Sequence, residues 1–421
     1  MASSRSQNES GVGGTAGDEL AVNKDFGELL LGELSSQSIG SWADIDAALD
    51  SLVARAESLY GPTETSELPA AVGFITFEYG IDGVSMEIAK YAACLEQLWD
   101  RYGSTPEIHL IGGNFSASVD CVLAPRWHRY LLPDSNGWSK WCSGKHFKRL
   151  FYDDMPENST ASAEMAAEIW RQALGFAHRI TEYIHGNNIG LLAPVNVNSN
   201  PGNPALALGI VLASESLNLP VLNSNHDFFW ESGKAASEYR EGEKRGERDH
   251  FFRNSENQSF FQWFRRVFPW DGRRWLQLVI NEVQREVLLN DGYHFDSSRV
   301  IELGTFIEDN FFAPCRPEHR NDLRLHLGLI LGHGEHMITT TRLDDFVSVV
   351  DGWMQEQVPV VLGSEQGGML DVSDKNAFWF LQPTRTVTRK RIYRDWELIG
   401  ALLEYVPFRM MFDDNPDMTL T

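Results

Sequence analysis

The sequence predicts an α/β protein whose amino-terminal lobe is a doubly wound parallel sheet. Three observations carry this expectation. Short, uninterrupted apolar runs recur along the chain, as strands buried on both faces require. Segments with apolar residues three and four apart separate them, the period of a helix with one buried face. The residues with distinctive chemistry (clustered Asn, Gly, His and Asp) directly follow apolar runs, and ligands of such sheets bind beyond the carboxyl ends of the strands.

The opening MASSRSQNESGVGGTAGDEL is rich in Ser, Gly and Asn, so residues 1–40 are expected to form a disordered tail. Residues 44–59 have helical period, and AAVGFITF at 70–77 is the first strand. A helix over 84–101 and a strand in EIHLIGG at 107–113 follow. The helix over 161–185 is the clearest, with Ile169, Trp170, Ala173, Leu174, Ala177, Ile180 and Ile184 on one stripe. It leads to a strand in IGLLAPV at 189–195, a small-residue helix over 203–216 and a strand in LPVLNSN at 219–225. Residues 232–274 break the pattern with charge and aromatics and are expected to form an ordered excursion over the crevice. WLQLVI at 275–280 and the helix after it resume the alternation. SSRVIELGTFIEDNFFAP at 297–314 reads as strand, turn and connector. The expected lobes are therefore 41–305 and 306–421, the second with one strong strand-to-helix unit, NAFWFLQPT through RIYRDWELIGALLEYV.

Length allows two domains, each with its own core. A hydrophobic share of 43% with 23% charged residues suits a soluble globular chain. The formal net charge of −23 argues against nucleic acid and anionic membrane surfaces, since both select a basic footprint. Cys94, Cys121, Cys142 and Cys315 are scattered, without a Cys-x-x-Cys pair or a His at metal-ligand spacing. They read as reduced thiols of a cytoplasmic protein, which makes the sequons at Asn114, Asn158 and Asn257 chance matches. No stretch is long and apolar enough for stable membrane insertion, and no signal-peptide core is present.

Four segments carry candidate chemistry. In EYGIDGVSMEIAK at 78–90, Gly80 and Gly83 separate the first strand from its helix. Glycine there permits close backbone approach and leaves helix N–H groups for an anion, or simply makes a tight turn. The spacing is not the GxGxxG of a nicotinamide or flavin site. In NVNSNPGNPALALG at 196–209, Asn198 and Asn200 offer amides that suit sugar hydroxyls, or help cap a helix. In NSNHDFFWE at 223–231, His226, Asp227, Trp230 and Glu231 read as a polar and aromatic edge on which a sugar ring can stack, or the His-Asp pair is a structural hydrogen bond. In FLQPTRTVTRKR at 380–391, Arg385 and Lys390 stand five apart, where two cations can converge on a diphosphate or simply form an exposed basic turn. Asp153-Asp154 and Asp413-Asp414 read as solvated turns, not metal ligands.

This ordered set resembles the retaining GT-B glycosyltransferases, the large family that includes sucrose-phosphate synthases and bacterial sugar transferases. The resemblance covers roughly residues 70–421 and implies two Rossmann-like lobes. It implies catalytic roles for His226 and Asp227, and donor contacts from Gly80, Gly83, Arg385 and Lys390. It implies a nucleotide-diphosphate sugar as donor, a hydroxylated acceptor, no further cofactor and no metal. The acceptor hydroxyl would attack on the face from which the nucleotide leaves, so configuration is retained. Three departures stand out. Glu302-Leu303 replaces the usual Pro-Asn of the connector, Arg391 replaces a glycine, and the Glu-x7-Glu element would lie beyond residue 421. A truncated or incomplete second lobe is expected on that ground. The alternatives are a non-catalytic protein of the same architecture, or another sugar-phosphate enzyme such as an epimerase or phosphorylase.

Overall fold

The computed structural model describes residues 16–61, 68–231, 254, 256–290, 292–305, 377–378, 392–414 and 419–420. The chain divides into two units, Met1–Ala236 with Glu247–Thr305, and Ser237–Gly246 with Phe306–Thr421.

Among the described residues the first unit holds seven strands: β1 Ala71–Ile75, β2 Glu107–Gly112, β3 His128–Leu131, β4 Ile189–Pro194, β5 Val221–Asn225, β6 Trp275–Val279 and β7 Val300–Glu302. They form one sheet in the order β3-β2-β1-β4-β5-β6-β7, with every pairing parallel. The α/β, Rossmann-like expectation therefore holds for this unit.

The apolar run of β1 is explained by its two covered faces. Ala71 and Ile75 enter one core, and Val72 and Phe74 the other. The second of these lies under α3 (Gly83–Asp100), through Ile88 and Ala92. The first and larger core gathers α1 (Ala16–Ser35), α2 (Trp42–Tyr60), α5 (Thr160–Gly186), α6 (Pro204–Ser216) and α7 (Gln258–Val267). The short α4 (Lys145–Phe151) adds Phe147, Leu150 and Phe151 to it.

All thirteen residues of α6 are buried, as an all-round apolar helix demands. It packs on α5 so closely that a Cβ at Gly209 would sit 2.6 Å from the Phe176 Cβ and 3.0 Å from the Ala173 carbonyl oxygen. On β5 and β6 a polar ladder replaces apolar packing. Buried Asn223 and Asn225 both donate to the Gln277 side-chain oxygen, at 2.9 and 3.1 Å, and Gln277 donates to the Trp270 carbonyl at 2.8 Å.

Three features differ from the sequence expectation. Residues 16–35, assigned to a disordered tail, form α1, which buries Leu30, Leu31 and Leu34 beside α5 and α6. Residues 258–267, assigned to a cover over the crevice, form α7. Its Phe260, Trp263, Phe264 and Val267 recur at helical spacing and pack into the main core beside α2 and α6. Asn257 caps this helix and is buried, which by itself rules out glycosylation there in the folded chain. Finally, β3 was not expected at all, because HRYL is an edge strand with no apolar run.

After β6, α8 (Glu282–Leu289) leads to β7. In the second unit, β8 (Ala377–Phe378) pairs in parallel with β9 (Thr419–Leu420). Among the described residues between them in sequence are the helices α9 (Ile392–Glu404) and α10 (Val406–Asp413). Among the described residues no helix is long and apolar enough to cross a membrane.

Candidate functional site

Strand order reverses between β1 and β4, so the crevice of this sheet is expected beyond Ile75 and Pro194. On the α5 and α6 side the chain fills that position itself. Buried Phe77 meets Trp138 edge-on with ring centroids 4.9 Å apart, and the Trp138 N–H donates to the Gly202 carbonyl at 2.7 Å. A Cβ at Gly202 would lie 2.9 Å from the Phe77 ring, so a glycine lets the loop close over it.

The polar groups gather on the opposite, α3 side. Along β5, Val221 enters the larger core, Leu222 packs toward the α3 core, and Ser224 and His226 continue the face of Leu222. His226 is held by four partners. Its N–H donates to the Asn196 side-chain oxygen at 2.7 Å, and its carbonyl accepts from the Gln284 amide at 3.3 Å. Its Nε2 lies 3.2 Å from the Ser224 hydroxyl and 3.4 Å from the Tyr91 hydroxyl. The Asp227 N–H shares the same Asn196 oxygen at 3.2 Å. Asn196 can reach both because it takes a left-handed backbone, φ 60°, which Asn tolerates better than most residues.

Around His226, α3 presents Glu87, Lys90 and Tyr91. Glu87 and Lys90 form an ion pair through one carboxylate oxygen, and the other, Oε2, is buried without a hydrogen-bond partner. Burial pushes the His226 pKa below its usual value, and Lys90 pushes the same way, while Glu87 and Asp227 offset part of the shift. Burial raises the Tyr91 hydroxyl in turn. The result at neutral pH is an uncharged imidazole beside a protonated phenol.

The other sequence-chosen residues fare differently. Gly80 donates to the Ser85 hydroxyl at 3.0 Å, and neither Gly80 nor Gly83 has a positive φ. Asp82 caps α3, accepting from the Ser85 N–H at 2.9 Å. A carboxylate thus already caps this helix end through the Ser85 N–H. Asn198 and Asn200 are buried, at 0% and 2% exposure, so a sugar cannot reach their amides in this conformation. Trp230 stacks on Phe228 at 4.1 Å, which takes one ring face away from a sugar. Glu231 accepts from the Phe228 N–H and from Gln284, holding the turn that follows His226. Arg385 and Lys390 lie outside the described residues.

His226 and the helix behind the glycine loop thus meet through Tyr91, although a whole strand separates β1 from β5. Sequence reading missed Glu87, Lys90, Tyr91 and Ser224. The available signal was polar residues at i, i+3 and i+4 on a helix whose neighbours Ile88 and Ala92 are core.

No protein-family model matches this chain, and no curated protein matches it. An imidazole, a phenol, a serine hydroxyl, two carboxylates and an ammonium group at one half-buried edge suit a neutral, polyhydroxylated ligand, with donors and acceptors both supplied.

Proposed function

We propose that the chain is a retaining glycosyltransferase that moves a sugar from a nucleotide diphosphate to an acceptor hydroxyl, with His226 bordering the transferred sugar. The observation that carries this reading is the anchoring of His226. Two hydroxyls occupy the neighbourhood of Nε2, and Nδ1 has no hydrogen-bond partner among the described residues. A neutral ring fixed in this way can donate or accept at a sugar hydroxyl without moving first. The acceptor oxygen bonds to the anomeric carbon as the bond from that carbon to the phosphate oxygen breaks. The acceptor proton passes to the departing phosphate oxygen. Arg385 and Lys390 take up the charge that develops on the diphosphate.

The test is calorimetric titration with UDP-glucose, GDP-mannose and ADP-glucose, followed by NMR assignment of the product anomer. One donor should bind and give a retained configuration. His226→Ala should lower transfer by roughly 100-fold, the scale of losing one preorganised polar contact to the reacting sugar. Arg385→Ala should weaken donor binding about tenfold, as loss of one charge-assisted phosphate contact does. Inversion of configuration, or full transfer by folded His226→Ala, would overturn the assignment.

A further inference from the structure

A second cluster lies at the other end of the strands. Parallel pairing of β2 with β3 puts His109 directly opposite His128, and Glu107 projects from the same face of β2 two residues earlier. One ligand atom from each of the three residues falls within 4.8 Å of the others. His109 is buried, at 1% exposure, while Glu107 and His128 reach solvent.

The two nitrogens of His109 are treated differently. Nδ1 lies 3.0 Å from the Tyr183 hydroxyl on α5. Nε2 is buried and has no hydrogen-bond partner, with the Glu107 carboxylate 3.6 Å away and beyond hydrogen-bonding reach. A buried ring nitrogen without a partner is uncommon in a settled core. Tyr183 is itself fixed by stacking on Tyr130, with centroids 4.0 Å apart. This is the pattern of a metal-ligating histidine, in which a hydrogen bond at one nitrogen sets the orientation and tautomer of the other.

We propose that His109, His128 and Glu107 form a binding site for a divalent transition-metal ion of the Zn²⁺ class. Two imidazoles and one carboxylate favour Zn²⁺ over the all-oxygen shells of Mg²⁺ and Ca²⁺. Bonds of ~2.0–2.2 Å at a tetrahedral ion hold ligand atoms about 3.3–3.5 Å apart. The exposed His128 ring stacks on His109 with centroids 4.7 Å apart, so closure requires His128 to leave that stack and turn a ring nitrogen toward the ion, with Glu107 following. Three ligands leave a fourth position for water. His109 and His128 sit at the amino-terminal end of the sheet, away from His226, so the ion fastens the short edge strand β3 to β2 and takes no part in sugar chemistry.

The test uses the full chain stripped by a chelator and titrated with Zn²⁺, then with Co²⁺ as a spectroscopic probe. Wild type should bind one equivalent at this site, show the visible absorption of tetrahedral Co²⁺, and melt at a higher temperature when loaded. His128→Ala and Glu107→Gln alter exposed side chains and should fold normally. Each should weaken the metal by at least ~100-fold, the upper end of what losing a mere supporting partner costs. Tyr183→Phe should weaken it about 10-fold through its hold on His109. Absence of tight Zn²⁺ binding by wild type, or unchanged affinity in His128→Ala, would overturn the site.

Discussion

His226 shows how much one residue can depend on its setting. Its lowered pKa means that folding disfavours the imidazolium. The unfolded chain therefore binds more protons just below the ordinary value of 6.5, so this contribution to stability is complete above that value and is lost as pH falls through the folded pKa. Buried His109 and half-buried His185 act with the same sign. His226→Gln should consequently flatten, without abolishing, the loss of stability below pH 6.5, as measured by urea unfolding across that window. The His226 ring proton should titrate with an NMR midpoint below 6.5; a midpoint at or above it would contradict the desolvated environment.

At the scale of elements, the tightest constraint is the α5–α6 contact. Gly209 lets Phe176 and the Ala173 carbonyl approach a fully buried helix, and neither neighbour is the free end of a flexible side chain. Gly209→Ala should destabilise the fold by about 1–3 kcal/mol, an overpacking cost large enough to hide the better helix propensity of alanine. Chemical denaturation with an unchanged m-value is the measurement; a stabilised variant would show that the two helices can part cheaply. The same scale explains what was legible in the sequence. β1, β4, β5 and β6 announce themselves by apolar character, and α5 by its long stripe. β3 is invisible because His128, Arg129 and Leu131 of this edge strand are exposed. α7 has the right spacing, yet it lies among charged residues that mask it. His226 and Asp227 could be picked out because they follow a strand. Tyr91 could not, because only folding brings a residue of α3 to the end of β5. The His109–His128 pair was hidden for the same reason, since strand register and not sequence spacing makes them neighbours.

For the whole first unit, strand order is the organising fact. The single reversal between β1 and β4 sends α3 to one face and α5 and α6 to the other. It also separates the two clusters, with His226 at one end of the strands and His109 at the opposite end. Sugar transfer and metal binding should therefore be separable. His128→Ala should leave the turnover of a well-folded preparation essentially intact at moderate temperature, and His226→Ala should leave Zn²⁺ affinity intact. Both are read by running the transfer and titration assays on the same two variants.

The place of α1 and α2 has a consequence for how the chain is made. Their apolar residues Leu30, Leu31, Leu34, Trp42, Ile45 and Leu49 leave the ribosome before α5, α6 and α7, the later helices that cover them. At ~5–20 residues per second the wait is on the order of ten seconds. Throughout it the nascent chain carries apolar helix faces that α6 and α7 do not yet cover, the kind of surface that chaperones bind. Ribosome-stalled chains ending before Pro204 should thus be cut readily by protease within α2, and chains long enough to expose all of α7 should resist.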